Sequence, residues 1–378
     1  MTPLESSLLP EGIRARHVPA GDLSMHVLEA GDPAAPLVLL LHGFPELAWS
    51  WRHVLPALGR AGYHAVAPDQ RGYGRTTGWT AEYEGDLAPF RMANLARDAV
   101  LLMHALGHPR AACVVGHDFG ASVAGWSALL RPDLFGAVVL MSAPFTGAPG
   151  LSPAAAGLGD ALDAALADLP RPRKHYQRYY ATRPADADMR HAPQGLHAFL
   201  RAYYHHKSAD WPDNRPYPLA GWTAAEMAKL PTYYVMDLAQ TMAETVAEHM
   251  PTPDQVAACR WLTEPELAVY TAEFARTGFQ GGLNWYRCRF EPALLAEQQL
   301  FAGRTIDLPA MFLAGAQDWG IHQSPGALNR MWTRSFTNMG PPVLVDGAGH
   351  WVQQEQPQAV TAALLAFLGR VAPPPRAA

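Results

Sequence analysis

The chain of 378 residues is poor in charge: charged residues make up 17%, against about 25% in typical soluble domains. Lys+Arg number 29 and Asp+Glu 34, which gives a formal net charge of −5. A mildly acidic chain without a basic run argues against nucleic acid or an anionic membrane as its main partner. The hydrophobic fraction of 49% argues against a disordered chain.

Cysteine and long apolar runs are also scarce. Cys113, Cys259 and Cys288 are odd in number and far apart, which fits neither a disulfide framework nor a metal knuckle. No run of about 18 apolar residues is present, so we expect no transmembrane helix. The first thirty residues lack the apolar stretch of a signal peptide. We therefore expect a cytoplasmic protein with reduced thiols and no metal or cofactor.

In the first 141 residues, short apolar runs alternate with helical patterns. Apolar runs bounded by Gly, Pro and Asp are typical of buried parallel strands, and they occur at 36–42, 64–69, 111–115 and 137–141. Helical patterns occur at about 47–61, 92–106 and 119–130. This alternation predicts an α/β fold with a mostly parallel sheet flanked by helices.

The alternation stops near residue 143, and strand patterns resume at 310–314 and 342–345. Between them no convincing strand pattern appears, and the helical pieces are at about 194–204, 224–229, 239–248 and 264–276. We therefore predict an α/β core interrupted by a helical insertion. Its three segments are the first part of the core at 1–143, a helical cap at 144–304 and the second part of the core at 305–378.

A candidate nucleophile stands where one predicted strand turns into a helix. Gly116 and Gly120 flank Asp118 two positions away on each side. This Gly-x-Asp-x-Gly spacing between a strand and a helix is that of a nucleophile elbow. Small residues let the strand and the helix approach closely at such a strained turn. The helix N-terminus favours an anion, so we expect Asp118 to be ionised.

An aspartate at the elbow, instead of the usual serine, restricts the chemistry. A serine that attacked an sp³ carbon would leave an ether, which water does not readily cleave. A carboxylate leaves an ester, which water can cleave at the acyl carbon. Asp118 therefore predicts an alkyl-ester intermediate and a substrate with an electrophilic sp³ carbon.

A candidate base and its supporting acid follow later in the chain. His350 lies on a glycine-rich loop after the last predicted strand, where it can activate water as a general base. Asp318 follows the preceding strand and can hold the imidazole in the required tautomer. The order 118, 318, 350 is the nucleophile, acid, base order of the α/β-hydrolase fold. Asp346, nearer in sequence to His350, is the alternative acid.

The oxyanion-binding groups are expected from the main chain. In this fold they are the backbone N–H of the residue after the nucleophile and an N–H after an early strand. These positions correspond to Phe119 and to Phe44, which lies in the His-Gly-Phe-Pro string at 42–45. We expect the nearby His42 and His117 to be structural.

With these motifs, the chain resembles the α/β-hydrolase-fold epoxide hydrolases. The strings span nearly the whole chain and are specific only together: His-Gly-Phe-Pro-Glu at 42–46 with Trp-Ser-Trp-Arg at 49–52, Asp-Gln-Arg-Gly-Tyr-Gly at 69–74, Gly-His-Asp-Phe-Gly at 116–120, Gly-Phe-Gln-Gly-Gly-Leu-Asn-Trp-Tyr-Arg at 278–287 and Gly-Ala-Gly-His at 347–350. The resemblance implies an α/β-hydrolase fold with an inserted helical cap, and conversion of an epoxide and water to a vicinal diol.

The resemblance also implies two lid tyrosines that donate hydrogen bonds to the epoxide oxygen. Tyr286, in the Leu-Asn-Trp-Tyr-Arg string, matches the second of them. Tyr176, in an aromatic segment at 175–180, is the best match to the first, and Tyr179 and Tyr180 are alternatives.

A tyrosine pair favours an epoxide over a halide as the substrate. A halide leaves as a stable anion, whereas an opened epoxide is a strongly basic alkoxide that needs a proton. A tyrosine with a pKa of about 10 can supply it. The alternatives are a haloalkane dehalogenase-like hydrolase and a non-catalytic ligand-binding α/β-hydrolase.

Two departures from the family pattern leave the substrate range open. Phe119 stands where the family often has tryptophan, and residues 205–253 exceed what a short lid needs. The apolar, aromatic lid favours a small hydrophobic epoxide, with water as the second substrate. The sequence leaves a homodimer open and favours neither nucleic acid binding nor membrane insertion.

Overall fold

The computed structural model describes residues 9–151 and 158–374, apart from the side chain of Leu158. An eight-stranded sheet and a separate two-stranded sheet account for its strands. In chain order the strands are β1 (Arg14–Ala20), β2 (Leu23–Ala30), β3 (Leu37–Leu41), β4 (His64–Pro68), β5 (Cys113–His117), β6 (Val138–Met141), β7 (Arg173–His175), β8 (Val235–Asp237), β9 (Ala310–Gly315) and β10 (Val343–Val345).

The large sheet has the order β1-β2-β4-β3-β5-β6-β9-β10. Its neighbours are parallel from β4 to β10, while β2 pairs antiparallel with both β1 and β4. Strands β3, β4, β5 and β6 are buried along their whole length, because helices cover both faces of the parallel part. The predicted α/β fold with a mostly parallel sheet is confirmed.

Helices surround this sheet and fill the insertion. They are α1 (Leu55–Arg60), α2 (Met92–Ala105), α3 (Phe119–Leu130), α4 (Leu158–Ala167), α5 (Tyr176–Tyr180), α6 (Ala185–Arg190), α7 (Leu196–Lys207), α8 (Ala224–Met227), α9 (Met242–Ala247), α10 (Pro253–Ala258), α11 (Glu264–Thr277), α12 (Gln280–Arg287), α13 (Pro292–Ala296), α14 (Ala327–Arg330), α15 (Val352–Glu355) and α16 (Pro357–Val371). Within the two described ranges, no helix is long and apolar enough to cross a bilayer.

The insertion between β6 and β9 holds ten α-helices, α4 to α13, in its described part. It also holds β7 and β8, which pair antiparallel, so the expectation of no strand in this region is wrong. Each of these strands has three residues, too few for a period of two to be visible. The cap bounds at 144 and 304 stay a prediction. Residues 1–8, 152–157 and 375–378 of the three predicted segments lie outside the described residues.

Candidate active site

Asp118 lies between β5 and α3, with φ 52° and ψ −120°. A non-glycine residue in this conformation is strained, by roughly 1–3 kcal/mol. The flanking glycines make the turn sterically feasible. A Cβ on Gly116 would lie 2.1 Å from the backbone oxygen of Gly120, and one on Gly120 would lie 2.4 Å from that of Leu41. The Gly-x-Asp-x-Gly spacing thus lets α3 pack directly against the sheet below the carboxylate.

His350 links the other two predicted residues of the triad. Its Nε2 lies 3.3 Å from Oδ2 of Asp118, and its Nδ1 lies 3.1 Å from each carboxylate oxygen of Asp318. An ionised carboxylate only accepts, so Nδ1 of His350 donates to Asp318, and the opposite ring nitrogen, Nε2, faces the Asp118 carboxylate. Asp346 is exposed, so Asp318 is the acid that the fold places against the histidine.

Both carboxyl groups are held in the ionised form. Burial raises the pKa of Asp118, but the hydrogen bond and charge of His350, with the charge of Lys207, bring it below its ordinary value. Burial likewise raises the pKa of Asp318, but His350 and the N–H of Gly320 lower it below its usual range. The Gly320 N–H donates to Oδ1 of Asp318 at 2.6 Å.

The loop after β3 brings a backbone donor to the nucleophile. The N–H of Phe44 donates to Oδ1 of Asp118 at 3.0 Å. A Cβ on Gly43 would lie 2.4 Å from that same oxygen, so only glycine lets the loop approach this closely. Phe119 is the first residue of α3, and its N–H has no partner within the helix. The structure thus places the Phe44 N–H on the Asp118 carboxylate, while Phe119 directly follows Asp118 in the chain.

Glu46 is a buried residue of the site that the sequence reasoning did not single out. Its Oε2 lies 2.6 Å from Nδ1 of His117 and accepts from the N–H of Gly43 at 3.2 Å. Nε2 of His117 in turn lies 2.7 Å from the backbone oxygen of His350. Its place in the His-Gly-Phe-Pro-Glu string was the available signal. Glu46 and His117 therefore connect the loop after β3, the turn at Asp118 and the loop that carries His350.

His42, also expected to be structural, supports the same loop. The backbone N–H of Gln70 donates to its Nε2 at 3.1 Å, and its Nδ1 lies 2.9 Å from the backbone oxygen of Gly43. Burial lowers the pKa of His42, which keeps the ring neutral. It then donates through Nδ1 and accepts through Nε2, and so joins the loops after β3 and β4.

Lys207, at the end of α7, carries no local sequence signal but lies beside the triad. Its backbone oxygen accepts from the N–H of His350 at 2.9 Å. Burial lowers the pKa of its ammonium group, while the charges of Asp118 and Asp318 oppose that shift. The ammonium Nζ lies 4.9 to 5.6 Å from the centroids of four aromatic rings, those of Tyr203, Tyr233, Tyr234 and Trp351.

The four candidate lid tyrosines differ in whether they line the cavity that contains Asp118. Tyr176 and Tyr286 line the same cavity as Asp118, and their ring centroids are 6.0 Å apart. In contrast, the hydroxyl of Tyr179 donates to Asp188 at 2.9 Å and that of Tyr180 to Tyr203 at 3.0 Å, and neither residue lines that cavity.

Tyr176 and Tyr286 are both buried phenols. The Tyr176 hydroxyl donates to Oε1 of Gln323 at 3.2 Å and accepts from Nε2 of Gln177 at 3.0 Å. Burial raises the pKa of both tyrosines above the ordinary value, so both hydroxyls keep their protons near neutral pH.

The cavity has a volume of about 410 Å³ and lies between the elbow, α5, α12 and residues 143–149. This volume is within the range of small-molecule sites, about 300–1,000 Å³. The three cysteines are free. In the part of the chain that the structure describes, no three His, Cys, Asp or Glu side chains are grouped to hold a metal ion.

Comparison with known proteins places this site in a family. A family model described as alpha/beta hydrolase fold matches residues 36–357. Epoxide hydrolase A of Mycobacterium tuberculosis is 35% identical over 93% of this chain and 96% of its own. Epoxide hydrolase B of the same organism is 34% identical over 90% of this chain and 94% of its own.

Solved structures agree with the sequence comparison. An epoxide hydrolase from an endophytic Streptomyces superposes with a TM-score of 0.76, at 31% identity over 96% of this chain and 97% of that one. Epoxide hydrolase A from Mycobacterium thermoresistibile gives a TM-score of 0.74, at 36% identity over 94% of this chain and 98% of that one. The chain is a hydrolase that belongs to the epoxide hydrolase family of the α/β-hydrolase fold.

Proposed function

We propose that the protein hydrolyses an epoxide to a vicinal diol through an alkyl ester on Asp118. One observation carries the proposal: the Asp118 carboxylate, backed by His350 and Asp318, lines one cavity with the two lid tyrosines Tyr176 and Tyr286. A carboxylate can attack an sp³ carbon and form a hydrolysable ester, and a phenol hydroxyl can donate a proton to the oxygen that leaves that carbon. The relatives named epoxide hydrolases support the same reaction.

The first step forms the ester. Oδ1 of Asp118 accepts from Phe44, so Oδ2 is the oxygen that attacks the epoxide carbon. The carbon–oxygen bond of the epoxide breaks, and its electron pair stays on the epoxide oxygen. Tyr176 and Tyr286 donate to that oxygen, and one of them transfers its proton. For this the Tyr176 hydroxyl turns from Gln323 to the epoxide, which costs it one hydrogen bond and gains another.

The second step cleaves the ester. Nε2 of His350 takes a proton from water, and the hydroxide attacks the carboxyl carbon of Asp118. The N–H groups of Phe44 and Phe119 stabilise the charge that develops on Oδ1, and each such donor is worth roughly 10²–10³ in rate. Asp318 stabilises the imidazolium. The bond from the carboxyl carbon to Oδ2 then breaks, the diol takes the proton from His350, and the remaining proton returns to the tyrosine.

Product analysis tests this proposal against the two alternatives. Purified protein is incubated with styrene oxide and, separately, with 1-chlorohexane and 1-bromohexane. We expect styrene glycol from the epoxide and no halide release above that of Asp118→Asn, which keeps the shape of the nucleophile but removes its charge. Halide release without diol would instead favour a dehalogenase. The absence of both diol and halide would favour a non-catalytic binding protein.

A further inference from the structure

Among the residues that the structure describes, Arg289 is the one charged residue besides Asp118 in the lining of the cavity. Arg289 follows α12, three residues after Tyr286, and its guanidinium carbon lies 5.7 Å from the centroid of the Phe119 ring. Asp118 is buried and Arg289 is exposed. The nucleophile therefore lies at the inner end of the cavity, and a permanent positive charge lies toward its mouth.

Two other arginines, Arg178 and Arg91, have carboxylate partners, whereas Arg289 has none within the described ranges. Arg178 pairs with Asp160 and Asp163, and Arg91 lies 3.3 Å from Glu297. No carboxylate of residues 9–151 or 158–374 lies within 4.0 Å of the Arg289 guanidinium. Its five N–H donors are therefore available to a molecule that enters the cavity.

The rest of the lining divides into an apolar part and a polar part. Phe119 and Trp126 are buried, and with Tyr286 they form an aromatic wall beside Asp118. The polar lining residues include Gln298 and Ser324, which are partly exposed, and Arg289, which is exposed. An occupant that suits both parts has an apolar segment and a polar end group.

We propose that Arg289 binds a carboxylate of the substrate, so that the preferred epoxides carry a carboxylate at the far end of an apolar chain. This inference rests on the proposed function. A planar guanidinium pairs with a carboxylate through two parallel hydrogen bonds. A phosphate dianion suits the site less well, because Arg289 is the only cation among the described residues of a lining that also includes the Asp118 carboxylate.

Because Asp118 is negatively charged, the epoxide and the carboxylate of the substrate must be well separated. A carboxylate directly next to the epoxide would lie beside the ionised nucleophile and be repelled by it. We therefore expect ω-epoxyalkanoates to be better substrates than glycidate, in which the two groups are adjacent. The volume of about 410 Å³ favours chains of medium length over long ones.

The experiment compares matched pairs of substrates. The kcat and KM values are measured for ω-epoxyalkanoates of six to eleven carbons and for their primary amides, which are neutral and similar in shape. The enzymes are the wild type, Arg289→Gln and the control Arg304→Gln, which removes an equal charge from an exposed residue outside the cavity. Turnover of the amides shows in each case that the variant is folded.

We expect the wild type to prefer the best carboxylate over its amide by about three- to fivefold in kcat/KM, as for an exposed ion pair. The preference should lie in KM, because the contact is remote from the reacting bond. It should weaken with added salt, disappear in Arg289→Gln and persist in Arg304→Gln. Arg289→Lys should keep part of it, since the charge remains.

Equal kcat/KM for the two members of every pair in the wild type would overturn the inference. So would a loss in Arg289→Gln that is equal for carboxylates and amides. In both cases the diol would still form, and the proposed function would stand. Absence of diol from every epoxide would overturn the proposed function and the inference with it.

Discussion

The backbone N–H of Phe44 donates to Oδ1 of Asp118 at 3.0 Å, and this contact makes the two oxygens of the nucleophile unequal. The other oxygen, Oδ2, faces Nε2 of His350 at 3.3 Å. In the mechanism that we propose, the first oxygen becomes the carbonyl oxygen of the ester and the second is the one that attacks. The base lies on the attacking side, where it can direct water to the ester carbon.

Replacing the base should separate the two chemical steps. In His350→Gln we expect the ester to form but not to be cleaved, with a loss of roughly 10²–10⁴ in steady-state turnover. Intact-mass spectrometry should then show protein heavier by one substrate molecule. The double variant with Asp118→Asn should show no adduct. A mass shift that persists without Asp118 would contradict the assignment of the nucleophile.

Removing a lid hydroxyl should slow the first step. For Tyr176→Phe and Tyr286→Phe we expect alkylation, followed by stopped-flow tryptophan fluorescence, to slow by about ten- to hundredfold, because general acid assistance is lost. Tyr179→Phe is the matched control, since its hydroxyl donates to Asp188 instead of entering the cavity. A Tyr179→Phe enzyme slower than Tyr176→Phe would reverse the choice of the first lid tyrosine.

A side chain at Gly43, in the loop after β3, should disturb the contact between this loop and Asp118. In Gly43→Ala the new Cβ would lie 2.4 Å from Oδ1 of Asp118, so the loop or the carboxylate must move. A displacement near 1 Å can cost about 10²-fold in kcat. Gly340→Ala is the control, because its Cβ would meet nothing within 4 Å. Full activity of Gly43→Ala would argue against the loop as the oxyanion donor.

The buried pair of Glu46 and His117 should make stability depend on pH. Burial lowers the pKa of His117, but Glu46 raises it above 6.5; burial raises that of Glu46, but His117 lowers it below 4.5. The His117 contribution is fully present below pH 6.5 and is lost as pH rises through its folded pKa. The Glu46 contribution is present above pH 4.5 and is lost as pH falls through its folded pKa. Both therefore act together between pH 4.5 and 6.5.

Urea unfolding of the wild type and Glu46→Gln at pH 5.5 and pH 9 measures this contribution. Breaking a buried pair costs about 3–5 kcal/mol, and we expect the difference in free energy of unfolding to be larger at pH 5.5. A difference that is the same at both pH values would show that the pair acts as neutral hydrogen bonds.

Most of the strands that sequence reasoning found are completely buried; the exception is β10, which is only partly buried. Runs such as the five buried residues of β3 and β5 have no polar interruption. The hairpin of β1 and β2 escaped notice because polar residues break its pattern. Within β2, His26 and Glu29 are buried, and they are stabilised by hydrogen bonds to Asp69 and to Arg16 from other segments.

The residues of the site also differ in whether the local sequence identifies them. Asp118 can be recognised in the sequence from the glycines two positions away on each side. Asp318 and His350 can be recognised from their places after predicted strands and from their order in the chain. Lys207 and Arg289 have no such local signal, because their positions depend on how the insertion packs over the core. The resemblance made Tyr176 the best match but left Tyr179 and Tyr180 open, since adjacent tyrosines on one helix differ only in the direction of their side chains. In the structure, Tyr176 is the one of the three that lines the cavity.

A single turnover in ¹⁸O-labelled water tests the central claim, the ester on Asp118, most directly. Enzyme in excess over epoxide is quenched after one turnover, and the diol and the peptide that holds Asp118 are analysed by mass spectrometry. We expect ¹⁸O in the Asp118 carboxyl group and an unlabelled diol, because water attacks the carboxyl carbon and Oδ2 leaves with the product. Label in the diol with an unlabelled Asp118 would mean direct attack of water on the epoxide and would contradict the account.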